Sequence, residues 1–80
     1  MTIQYQTHGT CSRSIDIEVE NGIVTDVKFN GGCHGNTQGI SSLVRGMKVE
    51  DVIARLDGIR CKDKPTSCPD QLAKALASIL

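Results

Sequence analysis

Four cysteines in a chain of 80 residues constrain the fold of this protein more than any other feature of its sequence. A chain this short buries only about 60% of its unfolded surface, and metals or disulfides often stabilise domains of this size. The core must be aliphatic, because Tyr5 and Phe29 are the only aromatic residues. We therefore expect one small domain, residues 1–80, in which the cysteines supply stability that the core does not.

The charge balance and the N-terminus exclude several classes of protein. Nine basic and nine acidic residues cancel, and no basic stripe indicates nucleic-acid binding. The first residues lack the features of a signal peptide, and no segment approaches the ~20 apolar residues of a membrane span. We expect a cytoplasmic protein without a membrane partner. Because stable disulfides are unusual in that compartment, the cysteines indicate metal binding or thiol redox chemistry.

Alternating apolar and charged residues over 14–29 predict a β-hairpin that turns at Asn21-Gly22. A two-residue turn would place Ile17 opposite Asp26 and mix apolar and charged side chains on one face. We therefore expect a three-residue loop, residues 20–22, with Gly22 in the left-handed conformation. The expected register pairs Val19 with Ile23, Ile15 with Val27 and Cys11 with Gly31. It also turns Arg13 and Thr25 inward.

The remaining apolar patterns predict an α+β fold, a three-stranded antiparallel sheet with about three helices packed on one face. The third strand contains Ile3, Tyr5 and Thr7. The first helix is expected to have its cap at Asn36 or Thr37, the second to run from about Val49 to Leu56, and the third to have its cap at Ser67 with Asp70 at its third position. The expected buried positions are Ile40, Leu43, Val44 and Met47 in the first helix, Val52, Ile53 and Leu56 in the second, and Leu72, Leu76, Ile79 and Leu80 in the third.

The cysteines fall where these elements begin and end. Cys33 precedes one helix, Cys68 lies in the first turn of another, and Cys61 lies in the loop before it. A helix N-terminus stabilises negative charge and therefore favours the thiolate. Together with Cys11 they form a candidate set of four ligands for structural Zn²⁺. The alternatives are a redox pair, Cys61 and Cys68, and buried cysteines without reactivity.

A glycine-rich segment, residues 31–36, joins the predicted hairpin to the first helix. Its backbone N–H groups could bind an anion, with Gly32, His34, Gly35 and Asn36 as candidate residues. It lacks the lysine of a P-loop and the spacing of a dinucleotide-binding motif. The simpler interpretation, which we favour, is that the glycines allow a tight turn around Cys33.

The segment Thr-Ser-Cys-Pro-Asp-Gln-Leu at residues 66–72 resembles the signature of the TSCPD-domain family. The segments around Cys11, around Cys33 (Gly-Gly-Cys-His-Gly-Asn) and before Cys61 (Gly-Ile-Arg-Cys) are similar to the rest of that family's pattern, so the resemblance covers nearly the whole chain. The domain occurs at the C-terminus of adenosylcobalamin-dependent ribonucleotide reductases, which serve DNA synthesis, and in small proteins named ribonucleoside-diphosphate reductases by similarity.

The resemblance implies an accessory module of a nucleotide-binding reductase, with that reductase or a thioredoxin-like protein as its partner. Its cysteines would bind metal, or would pass electrons to an active-site disulfide of the reductase. The radical-generating barrel, the cobalamin site and the substrate pocket of a reductase do not fit into 80 residues. We therefore expect that the isolated chain reduces no ribonucleotide.

A second, looser similarity is to iron-sulfur cluster assembly scaffold proteins, which place three cysteines around a junction of sheet and helix. It rests on the Phe-Asn-Gly-Gly-Cys segment that ends at Cys33, the helix that follows it, and the later cysteine-bearing helix. Gly35 stands where those proteins have Asp, and the residue directly before Cys68 is not His. This similarity implies an iron-sulfur cluster as the alternative cofactor.

Overall fold

The computed structural model describes residues 1–10, 12–32, 34–60 and 64–79. Three strands are followed by three helices, so the predicted α+β fold is confirmed. The strands form one antiparallel sheet in the order β1-β2-β3. The elements are β1 Thr2–Gln6, β2 Ser12–Glu20, β3 Ile23–Gly31, α1 His34–Val44, α2 Val49–Leu56 and α3 Cys68–Ala77.

The turn between β2 and β3 contains two residues, so the predicted three-residue loop is wrong. Asn21 and Gly22 both have positive φ, 53° and 76°, as in the turns that match the twist of a two-residue hairpin. Glu20 therefore pairs with Ile23, and Val19 pairs with Val24 rather than with Ile23.

A β-bulge at Thr25 explains why the short turn does not bring apolar and charged side chains together. Val19 pairs with Val24 and Glu18 pairs with Asp26. Thr25 therefore has no residue opposite it on β2, and the register shifts by one residue. Beyond the bulge Ile17 faces Val27, and Ile15 faces Phe29 rather than the predicted Val27. Thr25 is exposed, as is Arg13, and both were predicted to point inward.

The core lies between one face of the sheet and the helices. Ile15 and Ile17 of β2 are fully buried, and they pair with Tyr5 and Ile3 of β1. Alternation along β2 places its charged residues on the opposite face. The helix residues in the same core cluster are Val44, Val49, Val52, Leu72, Ala75 and Leu76.

Helix α1 begins earlier than predicted. It begins at His34, so Asn36 and Thr37 lie inside the helix and are not its cap. Its buried positions are Thr37, Ser41 and Val44, whereas Leu43, predicted to be buried, is 77% exposed. Leu43 is about 100° around the helix from Val44, which places it outside the face formed by Thr37, Ser41 and Val44.

Helix α2 has the predicted bounds and ends at Asp57-Gly58, where Gly58 has a φ of 84°. The chain between α1 and α2 is fixed to the beginning of β3. Val24 N donates to Met47 O at 2.8 Å and Gly46 N donates to Val24 O at 2.7 Å. None of the described helices is long and apolar enough to cross a membrane.

Candidate functional site: the start of helix α3

Helix α3 begins at Cys68, and the residue before it is the helix cap. Ser67 has an extended backbone, and its Oγ accepts a hydrogen bond from Asp70 N at 3.2 Å. Pro69 in the first turn has no N–H group to leave unsatisfied. The predicted cap and the predicted position of Cys68 are both confirmed. The side chain of Cys68 is half-buried.

Asp70 is the most buried charged residue of the site, at 1% exposure. Its carboxylate accepts hydrogen bonds from Gly58 N at 2.7 Å, from Thr66 Oγ1, and from Lys74 Nζ at 3.0 Å. Burial alone would raise the pKa of Asp70. The hydrogen bonds from Thr66, Gly58 and Lys74 and the charge of Lys74 outweigh burial and lower the pKa below its ordinary value.

The cap residue also holds the loop that leads towards Cys61. Ser67 Oγ donates to Ile59 O at 2.6 Å, next to the Gly58 N–H that Asp70 binds. Two consecutive residues after α2 are therefore bonded to side chains of the first turn of α3. This fixes the direction in which the chain leaves α2.

Gln71 connects the same turn of α3 to the loop between β1 and β2. His8 N donates to Gln71 Oε1 at 3.1 Å, and Gln71 Nε2 donates to Thr66 Oγ1 at 3.0 Å. Gly9 follows with a φ of 72°, and a Cβ on it would lie 3.1 Å from Thr66 Cγ2. The loop therefore approaches α3 closely only because residue 9 is glycine.

Ser12 lies within hydrogen-bonding distance of the Cys68 sulfur. Its Oγ lies 3.2 Å from Cys68 Sγ, and Ser12 is 4% exposed. Gly31 pairs with Ser12, not with Cys11 as predicted, because Arg13 adds an irregularity to β2. The first residue of β2 is thereby brought against the first residue of α3.

The glycine-rich segment packs against Ser12 as well. Gly31 and Gly32 both have a φ of 84°, and a Cβ on Gly32 would lie 3.1 Å from Ser12 N. These values support the tight-turn interpretation of the segment. Anion binding by Gly32, Gly35 and Asn36 stays a prediction, and the side chain of His34, the fourth candidate, lies outside the described residues.

A cavity of about 350 Å³ opens at the start of α3. Its wall combines apolar side chains with the cationic side chains of Arg60 and Lys64. Both flank residues 61–63 in the sequence. The lining residues are Gly9, Thr10, Asn36, Thr37, Ile40, Ile59, Arg60, Lys64, Thr66, Ser67, Cys68 and Pro69.

Three of the four candidate ligands, Cys11, Cys33 and Cys61, lie outside the described residues. Within residues 1–10, 12–32, 34–60 and 64–79, no group of three or more His, Cys, Asp or Glu side chains could hold a metal ion. The four-thiolate set and the redox pair of Cys61 and Cys68 therefore both stay predictions.

A family model described as the TSCPD domain matches residues 1–80. The chain belongs to the TSCPD-domain family. Its five signature letters are residues 66–70, of which Ser67 and Asp70 hold the loop after α2, whereas Gln71, the next residue, holds the loop between β1 and β2. The TSCPD domain is associated with ribonucleotide reductase, so a general relation of this chain to that enzyme is supported.

Comparisons with curated proteins and with solved structures find no match. Sequence reasoning found the cap at Ser67 but missed the bonds that Asp70 and Gln71 make to other loops. The sequence did contain a signal for these bonds. Four of the six residues 66–71 have polar side chains, which is more than a single helix cap needs.

Proposed function

We propose that this TSCPD domain is an accessory module related to ribonucleotide reductase that binds one structural Zn²⁺ through Cys11, Cys33, Cys61 and Cys68. The observation that carries the proposal is the double attachment of α3. Gln71 binds the loop just before Cys11, and Asp70 and Ser67 bind the loop just before Cys61. The first turn of α3 and its cap thus hold the two loops that lead to Cys11 and Cys61.

The segment that leads to Cys33 also approaches Cys68. Gly32, which precedes Cys33, packs on Ser12, and Ser12 contacts Cys68 Sγ. Arg60, which precedes Cys61, lines the same cavity as Cys68. Each of the other three cysteines directly follows a residue of this region in the chain. Those residues are Thr10, Gly32 and Arg60. Consecutive Cα atoms are about 3.8 Å apart. Four thiolates within reach of one ion are the donor set that Zn²⁺ takes in structural sites.

The energetics of a small domain support the same proposal. The fully buried apolar side chains are aliphatic, with Ile15, Ile17, Leu72 and Leu76 the largest. A thiolate zinc site contributes apparent binding free energy of about 10 kcal/mol or more, and that energy stabilises the folded state when the ligands converge only there. We therefore expect metal removal to lower the stability of this domain strongly.

The test is elemental analysis of the protein purified under reducing conditions, followed by unfolding with and without a chelator. We expect about one equivalent of zinc, and loss of that zinc when any one of the four cysteines is replaced by Ser. The matched control is Ser41→Ala, which removes a buried hydroxyl from α1 and should keep the metal. Zinc-free protein with full stability would refute the zinc proposal, and bound iron with visible absorbance would favour the cluster scaffold.

The second candidate is a thiol relay that supplies electrons to a ribonucleotide reductase. It is favoured by the half-buried Cys68 on the wall of an open cavity, where a partner's disulfide could reach it. Cys68 and Cys61 would reduce that disulfide to two thiols and would themselves form a disulfide. A thioredoxin-like dithiol would then reduce them and become oxidised in turn.

The relay is tested by measuring reductase turnover with the domain as the electron donor and thioredoxin as its reductant. Cys61→Ser should abolish the transfer, and Ser41→Ala should leave it unchanged. Equal turnover with Cys61→Ser would exclude the relay. Without a reductase, the domain should form no deoxyribonucleotide from ribonucleotide, adenosylcobalamin and a dithiol.

A further inference from the structure

Ser12, the first residue of β2, has a buried hydroxyl that takes no part in the cap of helix α3. Its Oγ lies 3.2 Å from Cys68 Sγ and 3.1 Å from Thr10 Oγ1. Ser12 is 4% exposed, so water has little access to replace either contact. The hydroxyl thus connects a threonine of the β1–β2 loop to the sulfur at the start of α3.

The available protons decide the direction of these bonds. A metal-bound sulfur has no proton and can only accept, so Ser12 Oγ must donate to Cys68 Sγ. Ser12 Oγ then has its lone pairs free to accept from Thr10 Oγ1. Thr10 Oγ1 also lies 3.2 Å from the carbonyl oxygen of Ser12 and can donate to it, but that oxygen already accepts a hydrogen bond from Thr7 Oγ1 at 2.5 Å.

We infer that Ser12, oriented by Thr10, donates a hydrogen bond to Cys68 Sγ and thereby sets how strongly this thiolate donates to the bound metal. Ser12 is a positioning residue, since it acts on the metal through Cys68. The inference rests on the proposed zinc site for the direction of the hydrogen bond and for its effect on the metal, whereas the contact between Ser12 Oγ and Cys68 Sγ does not depend on that site. Groups that bond to metal ligands commonly change metal affinity by 10–100-fold.

The first experiment replaces the metal with Co²⁺ and compares wild type with Ser12→Ala. A hydrogen bond stabilises the sulfur lone pair, so its removal should shift the sulfur-to-cobalt charge-transfer band to longer wavelength. Zinc affinity, measured by competition with a coloured chelator, should fall by about tenfold. Ser12→Thr keeps the hydroxyl and should restore both values towards wild type.

The matched control is Ser41→Ala, because Ser41 is a buried serine whose hydroxyl bonds Thr37 O on α1. It should leave the band and the affinity unchanged, which separates the effect at Ser12 from a general loss of stability. An unshifted band together with unchanged zinc affinity in Ser12→Ala would overturn the inference while leaving the zinc site intact.

If the purified protein binds neither zinc nor cobalt, the zinc proposal fails and the hydrogen bond is tested in the metal-free protein. A double-mutant cycle of Ser12→Ala and Cys68→Ala should then show about fivefold coupling in the unfolding equilibrium constant, as expected for one hydrogen bond. Additive effects of the two substitutions would overturn the inference in that case.

Discussion

Helices α1 and α3 each begin at or directly after a cysteine, but they are held in the fold in different ways. In α3, side chains of the first turn bond to the loops before Cys11 and Cys61. In α1 the first turn has no acidic residue, and a Cβ on Gly35 or Gly39 would meet nothing within 4 Å. The position of α1 instead comes from its buried face on β3.

This comparison indicates that the two helices have different tasks. Helix α3 holds the loop between β1 and β2 and the loop after α2 by polar bonds of fixed geometry, so we expect its first turn to tolerate little change. Helix α1 covers the sheet. On its outer face Ser42 and Leu43 are exposed, and a Cβ on Gly39 would meet nothing within 4 Å. Substitutions in α3 should therefore cost stability, whereas selected substitutions in α1 should be neutral or favourable.

The largest expected effect is that of Asp70→Ala. It leaves the buried Thr66 hydroxyl and the part-buried Gly58 N–H without their acceptor, and each such unsatisfied group costs about 1–3 kcal/mol. Denaturant unfolding measures the change. Asp51→Ala, which removes an exposed carboxylate of α2, should cost less than about 1 kcal/mol. Equal costs for the two variants would contradict the organising role of α3.

The pH dependence of stability provides the second test. The pKa of Asp70 is lowered in the folded state, so its contribution is complete above the unfolded value near 3.8 and is lost as the pH falls through the folded value. Wild type should therefore lose stability on acidification below about pH 4, and Asp70→Asn should lose less over the same range. Parallel acid profiles of the two proteins would assign the acid sensitivity to other carboxylates.

A smaller loss is expected for Ser67→Ala. This substitution removes the acceptor for Asp70 N and the donor to Ile59 O, and loss of a helix cap costs about 1–2 kcal/mol. Ser42→Ala is the counterpart in α1, where the serine is exposed, and it should change stability by less than about 0.5 kcal/mol. A midpoint shift in urea that is the same for both would remove the contrast between the helices.

The smallest effect, of opposite sign, is expected for Gly39→Ala in α1. The exposed helical position has room for a Cβ, so alanine should stabilise the protein by about 0.5–1 kcal/mol. Gly32→Ala is the contrasting change, because Gly32 has a φ of 84° and would place its Cβ 3.1 Å from Ser12 N. Thermal unfolding should show a higher midpoint for the first variant and a lower one for the second.

The strands, α2 and the start of α3 were predicted from the sequence because each depends on residues close together in the chain. The hairpin register was not, although the turn contains Asn21-Gly22. The error came from treating the strands as regular. The bulge at Thr25 lies where Val24 bonds to Met47 of the α1–α2 link, so its position depends on a contact far along the chain.

The sequence by itself determined the α+β class, the helix cap at Ser67 and the membership of the TSCPD family, since these depend on periodicity, on a bond across three residues and on a local signature. Only the tertiary structure decided what the signature holds. Asp70 bonds Gly58 across 12 residues, Ser12 contacts Cys68 across 56, and Gln71 bonds His8 across 63. Such partners are selected by the packing of the sheet against the helices, because a side chain has no local signal for a group that only folding brings within hydrogen-bonding distance.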